Sequence, residues 1–177
     1  WRGPMVSRMT QQFFENVNWG KLDYLILDLP PGTGDIQLTL VQKVKLTGAI
    51  IVTTPQDLSH VDVKKGSDMF KKVNTPIIGV VENMAGMILS GKLTNVDTKE
   101  TCLYMDDNKV SLNIDGSFSL IYDVFKGNSG IKESERLGLP LLGQIPLDKE
   151  LSKSCDLGIP YVLNNKNSII QKEFMKI

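Results

Sequence analysis

The sequence predicts an α/β fold in which a mainly parallel sheet is flanked by helices. Three apolar segments have the length and composition of buried strands, at residues 22–27, 47–53 and 76–81. They alternate with segments of helical periodicity, and strands that are apolar on both faces are typical of parallel sheets covered by helices. Short alternating segments between residues 86 and 125 interrupt this order. They predict a small antiparallel β-meander inserted into the α/β body.

Helix ends are indicated by residues that suit the terminal turns. Asp57 and Ser59 are alternative N-caps of one helix, and Gly138 is placed to end a later one. The predicted helices cover residues 5–17, 36–44, 55–72, 131–137, 148–156 and 168–175, and a further short strand covers 141–145.

The inserted segment contains Asp115-Gly116, a pair that is common in hairpin turns. A three-residue loop at 114–116 pairs Leu112 with Phe118 and keeps apolar side chains on one face. A two-residue loop would mix the two faces. The three-residue loop also places Gly116 at a left-handed position. A second turn, at 106–108, would follow a strand at residues 101–105.

Composition narrows the class of protein. The 177 residues suit one domain, and 20 basic residues cancel 20 acidic ones, so no overall charge favours nucleic acid or an anionic membrane. No apolar run is long enough to span a membrane, and two cysteines make no disulfide framework. We therefore expect a cytoplasmic setting.

The chain opens on Trp1 without an initiator methionine, so we expect residues 1–177 to be the C-terminal part of one longer domain.

Polar or turn-forming residues follow each predicted strand. They are Asp28, Thr54-Pro55-Gln56, Asn83 and Pro146. Because the carboxyl ends of parallel strands meet at one edge of a sheet, where ligands bind in such folds, these residues are expected to face one crevice.

The segment that follows the first predicted strand has the composition of a phosphate-binding loop. Asp28 could hold Mg²⁺ through a bound water, and Gly32 and Gly34 would let backbone amides approach a phosphate. Thr33 and Asp35 could orient an attacking water. The alternative is that Asp28 caps a neighbouring helix and that the loop is a simple turn.

Five stretches of the sequence together resemble the Mrp/ApbC family. These P-loop ATPases are relatives of MinD and ParA and act as iron–sulfur cluster carriers. The resemblance covers residues 1–84 and about 125–163, in order and with consistent spacing. The stretches are WRGPM, WGKLDYLILDLPPGTGDIQLTL, TGAIIVTTPQD, VVENMAGM and LGLPLLGQIPLD.

The resemblance implies a MinD-like P-loop NTPase fold that uses ATP and Mg²⁺. Asp28 would serve Mg²⁺, and residues 30–35 would form the switch loop that senses the γ-phosphate. Asn83 would recognise the adenine edge, Pro146 would pack against the base, and Gln56 would lie on the same rim. Asp28 and Asp35 are thus the catalytic candidates.

The chain departs from the family pattern at two points. The phosphate loop G-x-x-x-x-G-K-[ST] is absent from the sequence, so we expect this chain alone to bind ATP very weakly and to hydrolyse none. ATPase activity is expected of the full-length chain. The C-x-x-C pair that would bind a [4Fe-4S] cluster after ENM is also absent. Cys102, placed in the strand at 101–105 as a semi-buried thiol, is the remaining candidate ligand, whereas Cys155 is expected to pack a helix.

Three functions remain open. The first is an ATP-dependent carrier, a homodimer that transfers iron–sulfur clusters to apoproteins or to their assembly machinery, without nucleic acid or membrane partners. The second is a nucleotide-switched scaffold that carries no cluster and uses the 86–125 insertion as its contact surface. The third, an inactive fragment, would follow if the natural gene began near Trp1.

Overall fold

The computed structural model describes residues 2–29 and 34–177 as an α/β body with a β-rich extension. The helices are α1 (Arg2–Glu15), α2 (Asp35–Lys43), α3 (Asp57–Lys72), α4 (Ser129–Leu137), α5 (Lys149–Asp156), α6 (Tyr161–Asn164) and α7 (Ile169–Phe174). The strands are β1 (Ala49–Thr53), β2 (Ile77–Lys92), β3 (Leu103–Met105), β4 (Asn108–Val110), β5 (Ser117–Tyr122) and β6 (Leu141–Leu147).

The main sheet is built around β2 and is mostly parallel, as predicted. Strands β1 and β6 pair parallel with β2, and β5 pairs antiparallel with its second half. Met87 pairs with both Tyr122 and Leu147, so β5 and β6 lie on opposite edges of β2. A separate two-stranded sheet joins β3 to β4.

The core lies between the β1–β2 layer and its helices. Alternate residues of β1 are buried, which places Ala49 and Ile51 in one cluster with Val80 of β2 and with Met69 and Phe70 of α3. The opposite residues of β1, Ile50 and Val52, are exposed. Among the described residues, β1 pairs with β2 alone and therefore forms an edge of the sheet.

Strand β2 continues well past residue 81, where the sequence predicted its end. It passes through Met84 and Gly86, whose φ angles are 59° and 81°, and runs on to Lys92. The prediction failed because turn-prone residues form an irregularity within the strand here, while β5 and β6 supply pairing on both sides. We call residues 87–122, which extend from this irregularity, the β-arm.

The predicted turn at 114–116 is confirmed, but the predicted hairpin around it is wrong. Asn113 N donates to Ser117 O at 2.8 Å, and Gly116 has a φ of 81°. Beyond the turn, however, Phe118 pairs with Gly91 of β2 and not with Leu112. The extension of β2 offers β5 a ladder of six residue pairs, which outcompetes the short segment before the turn. The turn after β3 is confirmed.

The predicted strand at 22–27 does not form. These residues have no strand structure, and the side chains of Tyr24 and Ile26 are 86% and 89% exposed. A strand is stable only when a neighbour satisfies its backbone groups, and no described strand pairs with this segment. Apolar composition alone therefore led to the wrong prediction that residues 22–27 form a strand.

Most helix ends agree with the sequence. Gly138 ends α4 with a φ of 68°, while Asp148 and Ser168 cap α5 and α7 through their side chains. The N-cap of α3 is Gln56, so the proposals of Asp57 and Ser59 are wrong. Helix α6 was not predicted, because its four residues carry no periodic pattern. None of the described helices has both the length and the apolar character needed to cross a bilayer.

Candidate functional site

Several strand ends meet at one cleft of about 1050 Å³ between the body and the β-arm. Pro55 after β1, Glu82 in β2 and Pro146 in β6 line it from the body, and β4 and β5 line it from the arm. Of the residues expected to face one crevice, only Pro55 and Pro146 line this cleft. Asp28, Gln56 and Asn83 are not among the residues that line it.

Asn83 and Pro146 lie within strands, although the sequence placed both just past strand ends. Asn83 pairs with Ile145, the neighbour of Pro146, so the two residues lie close together in adjacent strands. The side-chain Oδ1 of Asn83 accepts a hydrogen bond from Met84 N at 2.9 Å. This bond uses the amide oxygen of Asn83 and supports the left-handed backbone at Met84. The amide nitrogen Nδ2 of Asn83 takes no part in it.

The predicted magnesium-and-switch segment is described only in part. Asp28 is exposed in an irregular segment, and Gly34 is the N-cap of α2 with extended backbone angles. Asp35 is the first residue of that helix. Gly32 and Thr33 lie outside the described residues. The roles of all five residues remain predictions.

A buried carboxylate, Glu82, ties three elements together beneath the cleft. Its side chain is 2% exposed and accepts hydrogen bonds from Gly130 N at 2.8 Å and Gln144 Nε2 at 2.7 Å. Gly130 is in the first turn of α4, where an anion is favoured by the unpaired amides and the helix dipole. Sequence reasoning missed Glu82, although an acid within the apolar stretch PIIGVVEN was a visible anomaly.

The start of α4 is also fixed to the end of β1. Ser129 Oγ lies 3.0 Å from Thr53 Oγ, and Ser129 N donates to Pro55 O at 3.2 Å. Gly127 is required at this junction, because a Cβ there would lie 2.2 Å from Pro55 O. The loop that leaves the β-arm is therefore held tightly against the strand ends of the body.

A buried polar cluster joins α3 to α4 on the covered side of the sheet. Glu133, fully buried, accepts hydrogen bonds from Ser67 Oγ and from Arg136 Nε and Nη2. His60 Nε2 of α3 lies 3.2 Å from Glu133 Oε2. Arg136 also pairs with Asp68 at 2.8 Å.

The charges in this cluster stabilise one another. Burial by itself raises the pKa of Glu133, but hydrogen bonds from Arg136 and Ser67 outweigh burial and hold that pKa below its usual value. The Glu133 hydrogen bond in turn raises the pKa of Arg136. The cluster is therefore a set of ionised, hydrogen-bonded side chains that joins α3 to α4.

The two cysteines are separate and exposed. Cys102 lies just before β3 and Cys155 lies in α5, so neither is the semi-buried or packed thiol that was expected. Within the part of the chain that the structure describes, no three His, Cys, Asp or Glu side chains are grouped to hold a metal ion. The described residues thus form no cluster site within one chain.

A mostly parallel sheet flanked by helices, with its strand ends opening on one cleft, defines an α/β protein of the nucleotide-binding class. A family model described as ParA, NUBPL iron-transfer P-loop NTPase, matches residues 1–115 and 107–177. The chain belongs to this family of P-loop NTPases.

Curated relatives resemble the chain along nearly its whole length. The iron–sulfur cluster carrier protein of Deinococcus radiodurans is 44% identical over 171 residues, covering 96% of this chain and 40% of the relative. That of Methanocaldococcus jannaschii is 43% identical over 178 residues, covering 100% and 52%. The chain therefore spans about half the length of these relatives, or less.

Solved structures support the fold. A nucleotide-binding protein from Archaeoglobus fulgidus in complex with ADP is 32% identical, with a TM-score of 0.60, over 87% of this chain and 53% of that one. The septum site-determining protein MinD from Pyrococcus horikoshii, complexed with Mg-ADP, is 18% identical with a TM-score of 0.58, over 98% and 54%. The MinD likeness supports the fold alone.

Proposed function

We propose that the protein carries iron–sulfur clusters and delivers them to apoproteins under the control of ATP. The observation that carries this proposal is the family match along the whole chain, together with relatives at 43–44% identity that are named iron–sulfur cluster carrier proteins. Because the chain spans only part of those relatives, the activity is proposed for the protein with its nucleotide site complete.

The base end of the nucleotide site is assigned to Asn83 and Pro146, with Gln56 on the rim. A side-chain amide presents a donor and an acceptor, which suits the edge of an adenine ring. A proline in an adjacent strand offers an apolar surface to the base. The proximity of Asn83 and Pro146 in adjacent, paired strands supports the assignment.

The phosphate end is assigned to Asp28 and to residues 32–35. Asp28 is a hard oxygen donor and would hold Mg²⁺ through a water, while Gly32, Thr33 and Gly34 would present backbone amides to the phosphates. Asp35 would position the attacking water. ATP hydrolysis would supply the free energy for a switch between two states of the protein. The missing phosphate-loop motif means that these residues serve only half of the site.

The cluster, proposed as [4Fe-4S], is the cargo and would lie between two copies of the protein. Four thiolates are the usual ligand set of such a cluster. With Cys102 exposed, a homodimer would place one such thiol from each copy on the surface, and further ligands must come from elsewhere. The proposed recipients are apo iron–sulfur proteins in the cytoplasm.

One observation favours a second candidate, a nucleotide-switched scaffold that carries no cluster. The C-x-x-C pair is absent, and the β-arm stands where the resemblance places that pair. A scaffold would keep the ATP-dependent switch and use the arm as its contact surface.

The experiment that separates the two candidates uses the longest natural chain. It is reconstituted anaerobically with iron and sulfide, and iron, sulfide and transfer to an apo-ferredoxin are measured per dimer. Cys102→Ser is compared with the matched Cys155→Ser variant. A stable cluster that is lost only in Cys102→Ser supports the carrier with Cys102 as a ligand. Absence of any cluster while ATP binds contradicts the carrier and favours the scaffold.

The base assignment has its own test in ADP binding to the same chain. Asn83→Ala is expected to weaken ADP binding by about tenfold, since a lost hydrogen bond costs about 1–1.5 kcal/mol. Asn95→Ala, at an exposed asparagine of the β-arm far along the chain from Pro146, is the control. Equal affinities for the two variants in titration calorimetry would contradict the role of Asn83.

A further inference from the structure

Three side chains from two paired strands lie on the face of the sheet that borders the cleft. Glu82 of β2 pairs with Gln144 of β6, and paired residues of a parallel sheet direct their side chains to the same face. Pro146 lies two residues beyond Gln144 in the same strand and therefore shares that face. All three residues line the cleft, whereas Asn83 does not. A base that packs against Pro146 in the cleft therefore has the side chain of Gln144 beside it.

The amide of Gln144 is held in one orientation by Glu82. Gln144 Nε2 donates a hydrogen bond to Glu82 Oε2 at 2.7 Å. Because a carboxylate only accepts hydrogen bonds, the amide nitrogen must face it, and the amide oxygen Oε1 is turned away from it. Among residues 2–29 and 34–177, no side-chain or backbone donor contacts Oε1. Gln144 is exposed, so its Oε1 is available to a ligand in the cleft.

Glu82 is itself fixed by the first turn of α4. Its Oε1 accepts a hydrogen bond from Gly130 N at 2.8 Å, and the residue is buried. Helix and strand lie so close here that a Cβ at Gly130 would lie 2.7 Å from Glu82 Cβ. This close packing restricts the rotamers of Glu82. One carboxylate oxygen is therefore held against α4, and the other is directed to Gln144.

An amide oxygen in this position selects a ligand group that donates a hydrogen bond. In an adenine nucleotide the 6-amino group is the one donor of the base, because the other ring nitrogens only accept. Inosine carries an oxygen at the same position, and purine riboside carries only a hydrogen. A site that hydrogen-bonds one group of its ligand discriminates against analogues that lack this group.

We propose that Gln144 accepts a hydrogen bond from the 6-amino group of adenine and so selects adenine nucleotides, and that Glu82 is the positioning residue that orients its amide. This inference rests on the nucleotide site proposed at Pro146 and does not depend on the contact proposed for Asn83. Asn83 Oδ1 already accepts from Met84 N, so that contact would use the Nδ2 donors. The two amides would therefore contact different atoms of the ring.

The test compares two ligands that differ only in the 6-amino group, ADP and purine riboside 5′-diphosphate, on the longest natural chain. Titration calorimetry is expected to show that the unsubstituted chain binds ADP about tenfold more tightly. Gln144→Leu should bind the two ligands equally. Because both affinities are measured on the same variant, a general loss of structure would weaken both and leave their ratio unchanged.

The positioning role of Glu82 has a separate readout in Glu82→Gln. The introduced amide can accept from Gly130 N only with its oxygen, which leaves its nitrogen facing Gln144. Gln144 would then turn its own oxygen to that nitrogen and present Nε2, a donor, to the base. The preference for ADP over inosine 5′-diphosphate should therefore fall by about tenfold. A purely structural role of Glu82 would weaken both ligands equally.

The matched control is Gln42→Leu, at an exposed glutamine of α2 that does not line the cleft, and it should keep the full preference for ADP. If ADP binds but Gln144→Leu still discriminates between ADP and purine riboside 5′-diphosphate, the role of Gln144 is overturned while the proposed nucleotide site stands. An unchanged ratio of ADP to inosine 5′-diphosphate affinity in Glu82→Gln overturns the role of Glu82. Absence of ADP binding to the unsubstituted chain overturns the nucleotide site itself.

Discussion

Glu133 is a fully buried carboxylate whose partners come from two helices. Glu133→Gln is expected to lower the free energy of unfolding by about 2–3 kcal/mol, because Arg136 and Ser67 would lose a charged acceptor that burial keeps from water. The control is Glu135→Gln, at an exposed position of the same helix, which should change stability by less than about 0.5 kcal/mol. Urea denaturation measures both, and equal effects would mean that the cluster adds no stability.

The same residue makes stability depend on pH in a definite direction. The pKa of Glu133 is lowered from 4.5 in the folded chain, so the folded state favours the ionised form. Its contribution is fully present above about pH 4.5 and is lost as the pH falls through the folded pKa. The stability difference between the wild-type chain and Glu133→Gln should therefore shrink as the pH falls below about 4.5. A difference that grew as the pH fell further below that value would contradict the direction of this shift.

At the scale of secondary-structure elements, two glycines should respond to alanine in opposite directions. A Cβ at Gly116 would lie 2.3 Å from Leu93 O, and its φ is 81°, so Gly116→Ala should destabilise the chain by about 1–3 kcal/mol. Gly66, in α3, has open space around its Cα. Gly66→Ala should stabilise by about 0.5–1 kcal/mol through helix propensity. Thermal unfolding of both variants measures the two changes in stability. Changes of the same sign for Gly116→Ala and Gly66→Ala would contradict the prediction.

The elements that sequence predicted well are those with local causes. Gly138 ends α4 and Gly116 turns the arm because a left-handed residue is needed there, and that need is visible in a few neighbouring residues. The failures have non-local causes. Residues 22–27 have the composition of a strand but no pairing neighbour, and β2 passes its expected end because distant strands pair with it. Glu82 was missed for the same reason, since its partners lie 48 and 62 residues further along the chain.

For the molecule as a whole, the question is whether the β-arm and the body unfold together. One strand, β2, runs through both, and its irregularity at Gly86 is where they meet. A Cβ at Gly86 would lie 2.5 Å from Ile121 Cγ2 and 3.1 Å from Tyr122 O, at a φ of 81°. Gly86→Ala should therefore strain the root of the arm, while the contacts of β1 and β6 with the first half of β2 stay intact.

The expected outcome of Gly86→Ala is local. Hydrogen exchange by mass spectrometry should show faster exchange in segments within residues 87–122 and unchanged exchange in β1 and β6, because sub-global opening follows the weakest junction. The matched control is Gly79→Ala in the body, where a Cβ would lie 2.8 Å from Pro140 O. This variant should speed exchange in β1 and β6. If both variants speed hydrogen exchange equally in the arm and in the body, the β-arm and the body form one cooperative unit. Binding of a partner to the β-arm would then affect the strand ends of the body through β2.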